Sequence, residues 1–209
     1  MKGKDIGQAI TRGLRNVTRL EGRDTMAQFW PYALTVMGVQ FILGLVVTMP
    51  MMLRSMRMSM AQMEQAAAAG QQVDMATIQA ASMRNTMAQA MDIFPLTTTI
   101  SVFFGLLLIA ATVRRLHDRD WSGWWVAALA VVKLAAIVSG YLAMKSMAAA
   151  LTQANDMTAI SGSTFSSAAL SLPIWGLYIV LLVQLVQRGN GLPNRFGPPP
   201  EVPGQDEFL

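Results

Sequence analysis

Arg114-Arg115-Leu116-His117-Asp118-Arg119-Asp120-Trp121-Ser122-Gly123-Trp124-Trp125 is a charged, aromatic stretch between two long apolar runs. It holds the chain's only histidine and three of its five tryptophans, at the point where a chain leaving one bilayer span would turn back into the next. Outward from this turn, residues 28–52, 93–113, 124–144 and 168–186 each approach the roughly 20 apolar residues that a helix needs to cross ~30 Å of hydrocarbon. The fourth is the shortest and carries Pro173 and Gly176. Pro31, Pro95 and Pro173 each fall near the N-terminal end of a span, where a missing amide costs least. The expected fold is all-α: a polytopic transmembrane bundle of about four spans, forming a single membrane domain over 1–209.

Composition supports that class. Hydrophobic residues make up 53% and charged residues 13%, against roughly 25% charged in soluble domains. The net charge of +4 sits beside the apolar spans rather than on a separate basic domain, so nucleic-acid binding is not expected. The absence of cysteine removes disulfides, thiolate metal sites and a cysteine nucleophile. One histidine is too few for a conventional zinc site or a histidine-rich iron centre, and no metal or cofactor is expected. A long polar segment precedes the first apolar run near Phe29, so the first span reads as an uncleaved signal anchor.

Lys2, Lys4, Arg12, Arg15, Arg19 and Arg23, then Arg114, Arg115 and Arg119, then Arg188 and Arg195 flank the spans on one side. Only Arg54, Arg57, Arg84 and Lys145 flank them on the other. Because cytoplasmic flanks hold the excess of Lys and Arg, both termini and the 114–125 turn are expected in the cytoplasm.

Within 1–25, Ile6, Ile10, Leu14, Val17 and Leu20 share one arc of a helix, with Lys4, Arg12, Arg15, Arg19 and Arg23 opposite. An apolar arc about 120° wide suits a helix lying in the membrane interface, its basic face toward anionic headgroups; the plainer reading is an anchor that orients the first span. Residues 53–92, rich in Met, Ala and Gln, read as an outer helical hairpin about Gly70 or as extensions of the flanking spans. Met49, Met52, Met56, Met60 and Met63 recur at three- and four-residue steps, as do Met83, Met87 and Met91, and two such faces could pack together. Residues 145–167, with Asn155, Asp156, Ser161, Gly162 and Ser163, read as a shorter helix and loop. The tail, 187–209, opens with Gly, Asn and Pro that impose turns and a polyproline-like exit, folding back toward the 114–125 turn and ending in a solvated Asp206 and Glu207.

Three groups carry chemistry. The methionines offer soft thioether sulfur suited to Cu(I), though methionine is also ordinary apolar packing. Lys133 sits near mid-span at a depth shared with Gln40 and Tyr178, where a cation must face a cavity, a helix or a path to the interface. No mid-span carboxylate accompanies it, and snorkelling or helix packing competes with a transport role. In the central turn, Arg114 and Arg115 can bind phosphate, His117 can titrate near neutrality, and Asp118 or Asp120 can orient it or pair with arginine. Ser122 lies near the His-Asp pair without a nucleophile elbow, and no catalytic residue is expected.

Gly22-Arg23 followed by Phe29-Trp30, the block from Arg114 to Trp125, and Gly191-Leu192-Pro193-Asn194-Arg195-Phe196-Gly197 with Pro198 to Pro200 occur in that order. Together they resemble the domain of unknown function 805 family, which implies a small bacterial inner-membrane protein of several helices and no established activity. Two departures stand out. Met26 and Gln28 replace the arginine and glutamate usual before the aromatic pair, and the Met-rich segment is longer than the connection usual in relatives.

The resulting expectation is a non-enzymatic scaffold or accessory protein in the bilayer. Its contacts with anionic phospholipid headgroups, a membrane-protein partner or a second copy would run through Arg114, Arg115, His117, Asp118, Arg119, Trp121, Trp124 and Trp125, with Arg23, Asn194 and Arg195. The alternatives are a transporter subunit with a polar midplane at Lys133, Gln40 and Tyr178, and Met-based Cu(I) binding on the outer face.

Overall fold

The computed structural model describes residues 3–68, 75–153 and 176–200. The described residues form five helices: α1 (Gly3–Arg15), α2 (Met26–Ala68), α3 (Met75–His117), α4 (Trp124–Gln153) and α5 (Gly176–Val186). Three of them are long and apolar enough to cross a membrane, over Met26–Gln65, Ala81–His117 and Trp124–Ala150. These ranges contain the expected spans 28–52, 93–113 and 124–144. At ~1.5 Å per residue α5 reaches roughly 17 Å, about half the hydrocarbon thickness. The other part of the expected fourth span, 168–175 with Pro173, lies outside the described residues. So do the Gly70 turn, the stretch with Asn155, Asp156 and Ser161 to Ser163, and the end with Asp206 and Glu207.

Helices α2 and α3 each run for 43 residues, roughly 65 Å at ~1.5 Å per residue and about twice the hydrocarbon layer. Of the two arrangements open for 53–92, the chain takes the extension of the flanking spans. The reason is local: Met, Ala and Gln are good helix formers, so the helices continue where hydropathy ends. This moves the prolines. Pro95 lies deep inside α3 rather than at its start, and Pro31 sits past the first turn of α2.

By compactness the chain divides into two units, Met1–Gln40 with Ser101–Leu134 and Pro173–Leu209, and Phe41–Ile100 with Ala135–Leu172. In the second, Ser59 Oγ lies 3.2 Å from Ser82 Oγ, joining α2 to α3. Met51, Ser55, Ser59 and Gln62, at helical spacing on that side of α2, are half-buried. Met49, Met52, Met56, Met60 and Met63 are exposed instead, so the expected packing of two methionine faces is corrected: small serines let the backbones approach, and these five α2 methionines are left uncovered. Phe94 and Tyr141 meet with ring centroids 5.7 Å apart.

The first unit holds every buried apolar side chain among the described residues. Val113, Leu116, Val126 and Leu181 form its core, covered by Ile109, Trp121, Leu129, Leu177 and Leu185. Helix α2 begins at a capping box: the Thr25 amide donates to Gln28 Oε1 at 3.0 Å and the Gln28 amide to Thr25 Oγ1 at 3.3 Å. Gln28 thus does at this end what glutamate does in such a box.

Helix α1 is shorter than the expected 1–25, because Asn16 closes it: its amide and its Nδ2 both donate to the Arg12 carbonyl, at 3.1 and 2.9 Å. It seats on α2 by its small-residue edge. Ala9 is buried, and a methyl on Gly13 would overlap Tyr32 Cγ and Cδ2 and come within 2.8 Å of Cδ1. Tyr32 has no room to yield, being buried with its hydroxyl donating to the Leu107 carbonyl at 2.8 Å. Gly13→Ala is therefore expected to lift α1 and destabilise the protein by about 1–3 kcal/mol. Gly7→Ala, where a methyl meets nothing within 4 Å, is expected to be neutral or stabilising by up to ~1 kcal/mol through helix propensity. Thermal unfolding of the two variants side by side checks this.

Candidate functional site

Helix α3 ends in a Schellman motif. The Trp121 amide donates to the Leu116 carbonyl at 2.9 Å and the Asp120 amide to the His117 carbonyl at 3.0 Å, the two bonds that define the motif. Asp120 occupies the left-handed position at φ 61°, which Asp adopts more readily than most residues. Trp121 packs on the Val113 and Leu116 core, the apolar contact that accompanies such a cap. Ser122 then starts α4, its Oγ accepting from the Trp124 amide at 3.4 Å. The two helices are thus turned by backbone chemistry, with Ser122 capping α4.

Asp118 sits inside this turn and organises the charges. Its Oδ1 accepts from Arg23 Nη2 at 2.9 Å and Nε at 3.2 Å, and its Oδ2 from Arg115 Nη1 at 2.5 Å. Asp24 Oδ2 accepts from Arg114 Nε at 2.7 Å, and Arg12 reaches Oδ1 at 3.4 Å. Arg23, Asp24, Arg114, Arg115 and Asp118 are all buried, with Arg115 at 0% exposure. Three cations against two carboxylates leave an excess positive charge, and backbone carbonyls absorb it. Arg114 Nη1 donates to the Asn16 and Arg19 carbonyls at 2.8 and 2.5 Å, beyond the end of α1. Arg115 donates to the Leu185 carbonyl at 3.1 Å and to that of Gln187, at the end of α5. Arg115 thus meets carbonyls at the C-terminal end of α5, where the helix dipole also favours a cation, and Arg114 meets those of the segment that follows α1. Burial lowers the Arg115 pKa, against which Asp118 acts.

The segment after α5 lies against this cluster as a strap. Arg23 donates to the carbonyls of Asn190, Leu192 at 2.9 Å and Gly197 at 3.3 Å. The Asn190 amide donates to the Asp118 carbonyl at 2.8 Å, and Asn194 Nδ2 to the His117 carbonyl at 2.9 Å. Arg119 holds the Arg188 carbonyl at 2.7 Å and Gln187 Oε1. Arg195 Nε pairs with Asp120 Oδ1 at 3.1 Å on the exposed rim. A tight turn with reciprocal Asn194 and Gly197 backbone bonds, at 3.1 and 3.0 Å, presents Phe196 to His117. The two rings stack at 3.8 Å with 6° between planes.

His117 lies beyond the 93–113 span. Burial lowers its pKa, the Gly22 carbonyl 3.3 Å from Nδ1 opposes this, and the Arg195 charge lowers it further. Each of these two lowering effects favours the neutral form of the ring stacked on Phe196.

The sequence grouping of Arg23, Arg114, Arg115, His117, Asp118, Arg119, Asn194 and Arg195 is thus brought together in space. Its chemistry differs from the expectation, because the donors of Arg23, Arg114 and Arg115 point into the protein. The tryptophans divide: Trp121 packs on the core with the Trp125 ring centroid 5.3 Å from its own, and Trp124 is 80% exposed. Asp24 and Asn190 belong to the site although sequence reasoning passed them over. A carboxylate within a segment otherwise dominated by cations was the available signal for Asp24. Lys133 Nζ donates to the Ser101 carbonyl at 3.3 Å, from α4 to α3; its grouping with Gln40 and Tyr178 rested on depth alone.

A family model described as "Protein of unknown function (DUF805)" matches residues 17–198, so the chain belongs to that family. The match covers both the arginine and aspartate cluster and the strap, through Gly197 and Pro198. No curated protein and no solved structure matches the chain.

Proposed function

We propose that this DUF805 protein is a non-enzymatic scaffold of the bacterial inner membrane, with four spans and both termini cytoplasmic, that retains anionic phospholipid at its cytoplasmic face through α1. The observation that carries this is how α1 is seated. Burial of Ala9 and the close approach of Gly13 to Tyr32 leave Ile6 and Leu14 exposed on one side and Arg12 and Arg15 on the other. A helix that buries only its small residues keeps both faces needed at a bilayer surface, an apolar one for acyl chains and a basic one for headgroups. A hollow of about 620 Å³ beside it is lined by Gly7, Gln8, Thr11, Arg12, Arg15 and Asn16, a set of cationic and hydrogen-bonding groups suited to a phosphate. The exposed Trp124, at the first residue of α4, and Leu192 in the strap are suited to the same interfacial level.

Arg114 and Arg115, committed to Asp24, Asp118 and helix-end carbonyls, serve in this reading to hold the cytoplasmic end together rather than to bind lipid. The test is the lipid retained by the full-length protein after extraction from mixed phosphatidylethanolamine and phosphatidylglycerol membranes, measured by native mass spectrometry. Replacing Arg15 and Arg19 by glutamine, which leaves the Arg12 contact to Asp24 in place, is expected to remove most of the phosphatidylglycerol while leaving the thermal midpoint within a few degrees, as for exposed charges. Unchanged phosphatidylglycerol in that variant overturns the reading.

A further inference from the structure

We propose that the exposed methionine stripe of α2 formed by Met52, Met56, Met60 and Met63 is a binding site for Cu(I). At ~100° per residue these four fall within an arc of about 80° on one side of the helix. All four are exposed, Met52 at 61% and Met60 at 65%. The half-buried side of α2, with Met51, Ser55, Ser59 and Gln62, is centred roughly 100° away from the stripe, and Ser59, which meets Ser82, lies at the border between the two. Inter-helix packing, the ordinary use of methionine, therefore does not account for the stripe.

Composition points the same way. From Met49 to Met63, seven of fifteen residues are methionine and one is leucine. A helix face that only had to be apolar would be served as well by leucine, isoleucine or valine, which are at least as apolar. What methionine adds is a soft, polarisable sulfur on three rotatable bonds. Neighbours three and four apart on a helix have Cβ atoms about 5–6 Å from one another, so two or three flexible thioethers can converge on one ion. Thioethers are neutral, which favours a soft monovalent cation over divalent ions that draw on imidazole, thiolate or carboxylate. Arg57 and Glu64, exposed beside the stripe, carry opposite charges and leave it without strong net repulsion toward a cation. Only binding is assigned, with no change in oxidation state. The site is independent of α1 and its lipid.

The experiment is a competition titration of the full-length protein in detergent with Cu(I) alone, kept reduced by ascorbate without oxygen, against a chromogenic Cu(I) chelator. Wild type is expected to withhold copper from the chelator. Replacing Met52, Met56, Met60 and Met63 together by leucine keeps helix propensity and apolarity and is expected to weaken binding at least about tenfold, since sulfur is the ligand. Replacing Met83, Met87 and Met91, half-buried on α3, is expected to change it less than about twofold by the same argument. Met56→Leu alone, lowering the affinity by a smaller factor, supports the assignment should the fourfold variant lose helical structure. Equal copper retention by wild type and the fourfold variant, or equal loss in both multiple variants, overturns it.

Discussion

Asp118→Ala is expected to destabilise the protein by about 3–5 kcal/mol, the cost of removing one member of a buried ion pair. Its carboxylate is the shared counter-charge for Arg23 and Arg115, and all three groups are buried. Without it, two guanidiniums stay out of water with only carbonyl oxygens for company. Neither can shed its proton, so the structure must open to hydrate them. For a chain of this size the thermal midpoint is expected to fall by roughly 6–20 °C. Asp118→Asn, which keeps an acceptor oxygen but not the charge, is expected to fall between. The same change exposes the strap, because the Asp118 backbone and side chain organise its docking through Arg23 and Asn190. Protease cleavage within 187–197 should therefore accelerate in step with the lost stability. A midpoint within 1–2 °C of wild type would mean that the cluster is solvated, contrary to its burial; breaking a buried pair has a far larger effect.

The second large effect is expected from Gly189→Ala, a single methyl added in the strap. That methyl would overlap Asp118 Oδ2 and come within 2.5 Å of Cγ. Asp118 has no freedom to move aside, since Arg23 and Arg115 hold its two oxygens from different elements. The strap must lift instead, at about 1–3 kcal/mol for forced overpacking. With it go the Arg23 contacts to the strap carbonyls and the ring stack of Phe196 on His117. Gly191→Ala provides the control, because a methyl there meets nothing within 4 Å. Faster cleavage of the strap in Gly189→Ala alone is the expected result, read by limited proteolysis and mass spectrometry. Equal cleavage of the two variants would show that the close approach to Asp118 is not what seats the strap.

The two variants address what was hidden in the linear sequence. A positive-inside count treats every arginine as a solvated charge, which is adequate for deciding which flank is basic. It is blind to partners, and here Arg23 meets Asp118 across 95 positions and Arg114 meets Asp24 across 90. The helical periodicity that placed Arg23 on a basic face with Arg12 and Arg15 failed because α1 ends at Arg15, and Arg23 lies in the segment that turns inward. Asp24 was overlooked for the same reason: a carboxylate in a segment richer in cations has no visible role until Arg114 is brought to it.

What the sequence determined by itself was the all-α class, three long helices able to cross a membrane, the turn at 114–125 and the family. Each of these depends on residues near one another in the chain: an apolar run, a spacing, a cluster of motifs in order. Tertiary structure decided where the charges point, which side of α2 carries the exposed methionines, and which tryptophan is core. Those outcomes depend on what lies opposite a side chain once distant segments pack. The burial of an arginine is decided there, since a guanidinium can leave water only where carboxylates and helix-end carbonyls have already been assembled to receive it.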